Sequence, residues 1–376
     1  MSSLSEGTEH VSGQEPGGLT PANVEHSEPA KSLGFRSRPL QVTWEMTQAC
    51  GWKSSATRAR LPKDCQQFST AEGFHLIEEV AGMRVPLLAL TGGDPLLRPD
   101  LLPIIEFASR HAVRTSLTLL PTPRLNASVI SELKACGLMR VGFWLHGSTA
   151  GLSDRYWKMP GRYRRTMEII GTCHEVQLPV QINTIVSRRN FQDVDAMIEL
   201  LTRLDVILWN VFFFVPPNRD EAGEMLDGEQ HEQVFAKLYQ ASRRVNFQIK
   251  TTEGQHYQRY LLQQRVRESK GQLTETSAIP YAPRGVNDGK GFIFVNCRGE
   301  AYPSRFLPIS GGNVTEQSLT EIYRDSSLFV SMRDTSKLKG KCGRCPVRTV
   351  CGGSRARAYV MTGDLFASDP CCAFEP

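Results

Sequence analysis

Two periodicities alternate along the chain from Pro39 onward: short β-rich apolar runs, and longer stretches in which apolar residues return every three or four positions. Leu40 to Met46 reads as a strand. Ser69-Thr70-Ala71-Glu72 is a capping box, and it opens a helix carrying Phe74, Ile77 and Val80 on one side. Strand and helix then take turns: strand Leu87 to Leu90, a helix from Asp100, strand Arg114 to Leu119, a helix around Ser128 to Ala135, strand Arg140 to Leu145. The helix Tyr163 to Val176 precedes the strand Pro179 to Val186, the helix Phe191 to Leu204 precedes the strand Val206 to Val215, and a further helix starts near Glu229. Six strand-helix units in a row predict an α/β fold whose parallel sheet curves into a partial barrel, because parallel strands need crossover helices on the outside. Functional groups in such a barrel gather at the C-terminal ends of the strands. The sequence shows no repeat of the kind a solenoid needs.

Residues 1 to 34 break this pattern. They are rich in Ser, Gly, Glu and Pro, hold five glutamates against one lysine, and read as a disordered tail. The 376 residues otherwise suit about two domains. The apolar runs all fall short of the ~20 residues of a membrane span, and the start does not read as a secretion signal, so the expectation is a cytoplasmic protein without a membrane partner. The net charge of +5 is spread along the chain, which argues against nucleic acid as a partner.

Ten cysteines then change the picture. In a chain of this kind they read as metal ligands or buried thiols rather than disulfides. Cys342, Cys345, Cys351 and Cys372, with Cys371 beside the last, crowd the C-terminus, whereas Cys50, Cys65, Cys136, Cys173 and Cys297 are scattered singly. Four thiols that include a Cys-x2-Cys knuckle can wrap one metal centre, and spacing alone does not separate a structural zinc from a 4Fe-4S cluster. Cys136 precedes a strand and Cys173 lies inside a helix, so both read as small buried hydrophobes. Cys297 reads as a buried or surface thiol.

The two loops at the ends of the first two strands contain Cys50-Gly-Trp-Lys-Ser54-Ser-Ala-Thr57-Arg58 and Thr91-Gly92-Gly93-Asp94-Pro95. Together with Thr43 to Ala49, Gln181 to Thr184, Phe213 to Pro216, Lys250 to Glu253 with His256 and Tyr257, and the stretch from Cys342 through Gly352, Gly353 and Asp369-Pro370 to Cys372, they make residues 39 to 376 resemble the radical S-adenosylmethionine (SAM) enzymes with a C-terminal SPASM-type domain, close to a subgroup linked to heme biosynthesis. The resemblance implies a partial (βα)6 TIM-like barrel over residues 35–270, followed by a small SPASM-type domain over 271–376 with an auxiliary 4Fe-4S cluster on Cys342, Cys345, Cys351 and Cys372. It also implies a cofactor site at Cys50, Gly92, Gly93, Asp94 and Pro95. Family members place Cys-x3-Cys-x2-Cys in the first loop, so that three thiolates hold a radical-generating cluster. Here Ser54 and Thr57 stand at the second and third positions. Their hydroxyls do not ionise near neutral pH and are hard oxygens where iron-sulfur clusters take soft thiolates. Cys65 is the local thiol able to swing toward Cys50.

Two more features bear on chemistry. Trp144 and His146 stand where relatives carry Ser-Leu-Asp-Gly or similar, and they are bulky enough to narrow a SAM pocket. Arg344, Arg348, Arg355 and Arg357 crowd the C-terminal thiols and can offset their charge or grip a carboxylated substrate. Two functional readings follow. One is a degenerate family member that keeps the auxiliary cluster and serves an intact radical SAM homologue or an electron donor. The other is an active enzyme on a porphyrin or peptide substrate through a non-standard cluster. The catalytic residues themselves are not assigned.

Overall fold

The computed structural model describes residues 35–50, 67–268 and 286–376. Ser54, Thr57 and Cys65, the tail over residues 1–34, and the expected domain boundary at 270/271 lie outside these described residues.

Seven parallel strands and their helices alternate in chain order: β1 Gln41–Thr47, α1 Thr70–Gly82, β2 Leu87–Gly92, α2 Leu101–Arg110, β3 Thr115–Leu119, α3 Ala127–Ala135, β4 Arg140–Trp144 with α4 Ala150–Trp157 and α5 Arg162–Glu175, β5 Val180–Val186, α6 Val194–Arg203, β6 Leu208–Phe213, α7 Gly228–Ser242, β7 Gln248–Thr252 and α8 His256–Glu268. The partial barrel is therefore as expected, with one further parallel strand. That strand, β7, escaped the periodicity because Gln-Ile-Lys-Thr-Thr alternates weakly and its partly exposed residues have little apolar content. The capping box at Ser69 forms as its spelling implies: the Glu72 N–H donates to Ser69 Oγ at 3.2 Å, and the Ser69 N–H donates to Glu72 Oε2 at 2.7 Å.

The C-terminal part continues the same sheet. β8 Phe292–Val295 pairs in parallel with β1 on the side away from β2, and the antiparallel strands β9 Glu300–Tyr302 and β10 Gly312–Asn313 extend it, giving the order β10-β9-β8-β1-β2-β3-β4-β5-β6-β7. Helices α9 Leu319–Asp325, α10 Ser327–Arg333, α11 Gly340–Arg344 and α12 Arg355–Thr362 follow. The expected two-domain division thus crosses one continuous sheet. Among the described residues no helix is long and apolar enough to cross a membrane.

Strand alternation sorts the side chains into two environments. Val42, Trp44, Leu88, Leu90, Leu117, Val141, Phe143, Ile182, Trp209 and Val211 are buried and pack with the helices as one core. Trp44 comes so close to α1 that a Cβ on Gly73 would lie 2.8 Å from its ring. The alternate positions face the barrel interior and are polar: Gln41 and Thr43 on β1, Arg140 on β4, Gln181 and Asn183 on β5, Asn210 on β6, Lys250 and Thr252 on β7. Lys250 Nζ donates to Gln41 Oε1 at 2.9 Å, which links β7 to β1 across the open side of the barrel.

Candidate functional site

At the C-terminal mouth of the barrel, the Gly-Gly-Asp-Pro turn holds the chain that leads into Cys50. The Gly93 N–H donates to Thr47 O at 2.7 Å, and the Asp94 N–H donates to Ala49 O at 2.7 Å. A Cβ on Gly93 would sit 2.2 Å from Ala49 O, so the glycine is required by this backbone approach whatever else binds there. Asp94 is fully buried, accepts from the Leu96 N–H at 3.2 Å, and has its carboxyl pushed up by burial. A second tie comes from Arg98, which the sequence did not single out. Its guanidinium donates to Met46 O and Phe68 O at 3.0 Å each and pairs with Asp100 at 2.6 Å. Arg98 thereby holds the chain just before Cys50 and just after residue 66.

Cys50 is half-buried and lies within electrostatic reach of Arg162, whose guanidinium stacks on Trp157 at 3.9 Å. Burial pulls Arg162 down to about 10 against the opposing fields of Cys50 and Asp154. Trp144 faces the interior against Phe212, with ring centroids 5.0 Å apart. His146 is enclosed by Trp144, Tyr156 and Trp157. Its Nδ1 accepts from the Ile185 N–H at 3.0 Å, and burial together with Arg162 keeps the ring neutral. The proton of a neutral ring must then sit on Nε2, so His146 in this state is a donor and not a metal ligand.

The C-terminal thiols meet at one place. Cys342, Cys345, Cys351 and Cys372 line a pocket of about 350 Å³ together with Arg259, Lys341, Arg348, Gly352, Gly353 and Phe374. Cys371 is buried beside Asp369, whose Oδ1 accepts its N–H at 3.1 Å, and is not among the lining residues. Backbone and guanidinium donors surround the sulfurs: Asp369 N–H and Arg355 Nη2 reach Cys342 Sγ at 3.4 and 3.9 Å, and the Gly353 N–H reaches Cys351 Sγ at 3.4 Å. Gly353, at φ +65°, has no room for a side chain, since a Cβ would meet Arg355 Nη2 and Asp369 Cβ at 2.7 Å. Burial pushes Cys351 and Cys372 up, so metal binding at these thiols would release protons.

Of the four arginines expected here, Arg355 reaches Cys342 Sγ, Arg348 lines the pocket, Arg344 is exposed, and Arg357 is committed to a fully buried ion pair with Asp369 at 2.7 Å. Arg259 and Lys341 were missed. Lys341 Nζ donates to Cys372 O at 2.5 Å, and Arg259 comes from α8, more than eighty positions earlier in the chain, so no local pattern could reveal it. Cys136 caps α3, and burial pushes Cys173, inside α5, up to about 12.

Behind the thiols runs a buried polar layer. Glu253, which follows β7, accepts from Ser304 Oγ at 2.9 Å and Ser354 Oγ at 2.5 Å, while Asp288 Oδ2 accepts from the first N–H groups of α12. The His256 ring lies 3.7 Å from Asp369 Oδ2 and 4.8 Å, centroid to centroid, from His231. Burial, with help from Arg357, pulls His231 down to about 4. A histidine depressed in the folded state contributes stability above its ordinary ~6.5 and loses it as pH falls toward the folded value. The expected result is a urea midpoint that drops between pH 6.5 and pH 4, by an amount of order 2–3 kcal/mol from His231, and a shallower drop in His231→Phe. A pH profile unchanged by that substitution would contradict the assignment.

Two parts thus define the class of protein: a parallel partial barrel with a glycine-braced loop at its mouth, and a thiol-lined pocket beyond it. Residues 50–201 match the Radical SAM superfamily, and residues 287–346 match SPASM, an iron-sulfur cluster-binding domain. The AdoMet-dependent heme synthase of Methanosarcina barkeri is 32% identical over 348 residues, covering 92% of this chain and 99% of that protein. The PqqA peptide cyclase of Rhodopseudomonas palustris is 25% identical over 359 residues, covering 90% and 88%. The structure of Streptococcus suis SuiB bound to S-adenosylmethionine superposes with a TM-score of 0.69 at 13% identity, over 90% of this chain and 78% of that one. This chain belongs to the radical SAM superfamily, as a SPASM-containing iron-sulfur protein of its heme-synthase-like group.

Such domains carry 4Fe-4S clusters, and the two candidate positions differ in how well they fit one. The C-terminal pocket fits. Its four thiols line one pocket, and N–H donors aimed at two of the sulfurs suit a polynuclear cluster. In the first loop the sequence gives Cys50 followed by Ser54 and Thr57, which does not spell the usual three-thiolate set.

Proposed function

We propose that this protein is a SPASM-type iron-sulfur protein in which Cys342, Cys345, Cys351 and Cys372 hold a 4Fe-4S cluster and radical generation at the barrel mouth is lost or altered. The observation that carries this reading is Ser54 and Thr57 at the two positions where three-thiolate ligation needs cysteines. With one cluster left, the protein acts as an electron-transfer or substrate-holding partner of an intact radical SAM homologue. A second reading is favoured by the Gly92-Gly93-Asp94-Pro95 turn and by the heme synthase and peptide cyclase relatives: an active enzyme on a porphyrin or peptide substrate, its cluster held by Cys50 and non-thiolate ligands. The two separate in one experiment. Anaerobic reconstitution is followed by iron and sulfide counting and by chromatography for 5′-deoxyadenosine after reduction with dithionite. The expected result is about four irons per chain and no 5′-deoxyadenosine; nucleoside formation above the protein-free background establishes the second reading instead.

A further inference from the structure

The barrel interior carries a charge that neither cluster site uses. Arg140 opens β4 and Lys250 lies on β7, both inward-facing and close enough for the guanidinium to lower the lysine's proton affinity. Each has a neutral protein partner only: Arg140 Nε donates to Gln181 Oε1 at 2.8 Å, and Lys250 Nζ to Gln41 Oε1 at 2.9 Å. No other hydrogen bond or ion pair engages either cation among the described residues. Lys250 is solvent-exposed inside the open barrel, and the protein around it and Arg140 together bring it down to about 8.

Two like charges in a confined space disfavour the empty state, and an anion between them removes that penalty. Amide partners supply dipoles but no compensating charge. The terminal guanidinium nitrogens present the planar fork that matches a carboxylate, and the ammonium keeps two further donors. Glu45, the acidic residue on the inward face of β1, is already engaged by Gln48 at 3.0 Å and Arg305 at 3.7 Å. In the register of the sheet Trp144, Asn183, Asn210 and Lys250 occupy one level, and Phe212 stands directly above with its ring against Trp144. The interior thus holds Arg140 at the start of β4 and Lys250 level with the aromatic pair.

We propose that Arg140 and Lys250 form a carboxylate-binding site in the barrel interior, which takes an acid group on a molecule whose apolar body rests against Trp144 and Phe212. The inference rests on the proposed function only for the identity of the molecule that brings the carboxylate, so the site is tested without turnover. Trace labelling with acetic anhydride across pH, read by mass spectrometry of the Lys250 peptide, reports how much free amine the residue holds. Glutarate is the probe, and sodium chloride at equal ionic strength is its control. The expected result is a labelling midpoint near 8 that glutarate raises by about one unit, slowing labelling at pH 8 by about fivefold. Arg140→Met raises the midpoint by itself and abolishes the glutarate effect. Arg140→Lys keeps the repulsion without the fork, so its midpoint stays low while glutarate protects several-fold less. A midpoint at the ordinary ~10.4, equal protection by chloride, or glutarate protection that survives in Arg140→Met overturns the site. Because these readings involve no cluster, their failure leaves the iron count and the 5′-deoxyadenosine result untouched.

Discussion

Ser54→Cys with Thr57→Cys raises the iron content after anaerobic reconstitution from about four to about eight per chain. The expectation follows from what remains at the barrel mouth. The approach to Cys50 is held by two backbone hydrogen bonds from the Gly-Gly-Asp turn, and Arg98 ties Met46 and Phe68 on either side of the loop. With the chain held where it enters and leaves the loop, the expectation turns on the ligands. The change from hydroxyl to thiolate supplies them, since a cysteine deprotonates on binding metal while serine and threonine do not. Iron that stays near four in the double variant would sink this account. If iron rises and 5′-deoxyadenosine is still absent, the suspects become Trp144, packed on Phe212, and His146, closed in by Tyr156 and Trp157.

Arg357→Met destabilises the protein by about 3–5 kcal/mol, the cost of leaving one member of a buried ion pair alone. Arg357 and Asp369 are both fully buried and joined by two hydrogen bonds, at 2.9 and 2.7 Å. Burial works to raise the Asp369 carboxyl, and Arg357 overrides it, holding the acid well below the usual carboxylate range. Asp369 also accepts the N–H groups of Ser354 and Cys371, while its own N–H reaches Cys342 Sγ. The loss therefore spreads to the thiol pocket, and the variant is expected to take up less iron as well as to unfold at lower urea. Arg357→Lys keeps the charge without the fork and falls between the two. A surface pair such as Lys339–Asp364 serves as the control, with no measurable change in midpoint when broken. Wild-type iron content and a wild-type urea midpoint in Arg357→Met would refute the role given to this pair.

The strands with strong alternation or apolar runs, and the helix opened by the capping box at Ser69, were legible in the residues, because local backbone preference and burial agree there. So was the chemistry of the C-terminus, since four thiols crowded into one short stretch have few ways to avoid meeting. That Ser54 and Thr57 are not thiols was legible at once, while the expectation of thiols there came from the family resemblance. Other features are properties of approach in space. Arg259 comes to the thiols from α8, and Arg98 secures a loop whose ends it does not adjoin. The contact of Gly93 with Ala49, whatever else binds there, is likewise visible only in the fold. Arg140 and Lys250 read in the chain as two ordinary cations more than a hundred positions apart. Only the curl of the sheet turns both inward, where no carboxylate among the described residues answers them. Residue type states what a group is able to do, and folding sets the distances and the dielectric that determine whether it does so.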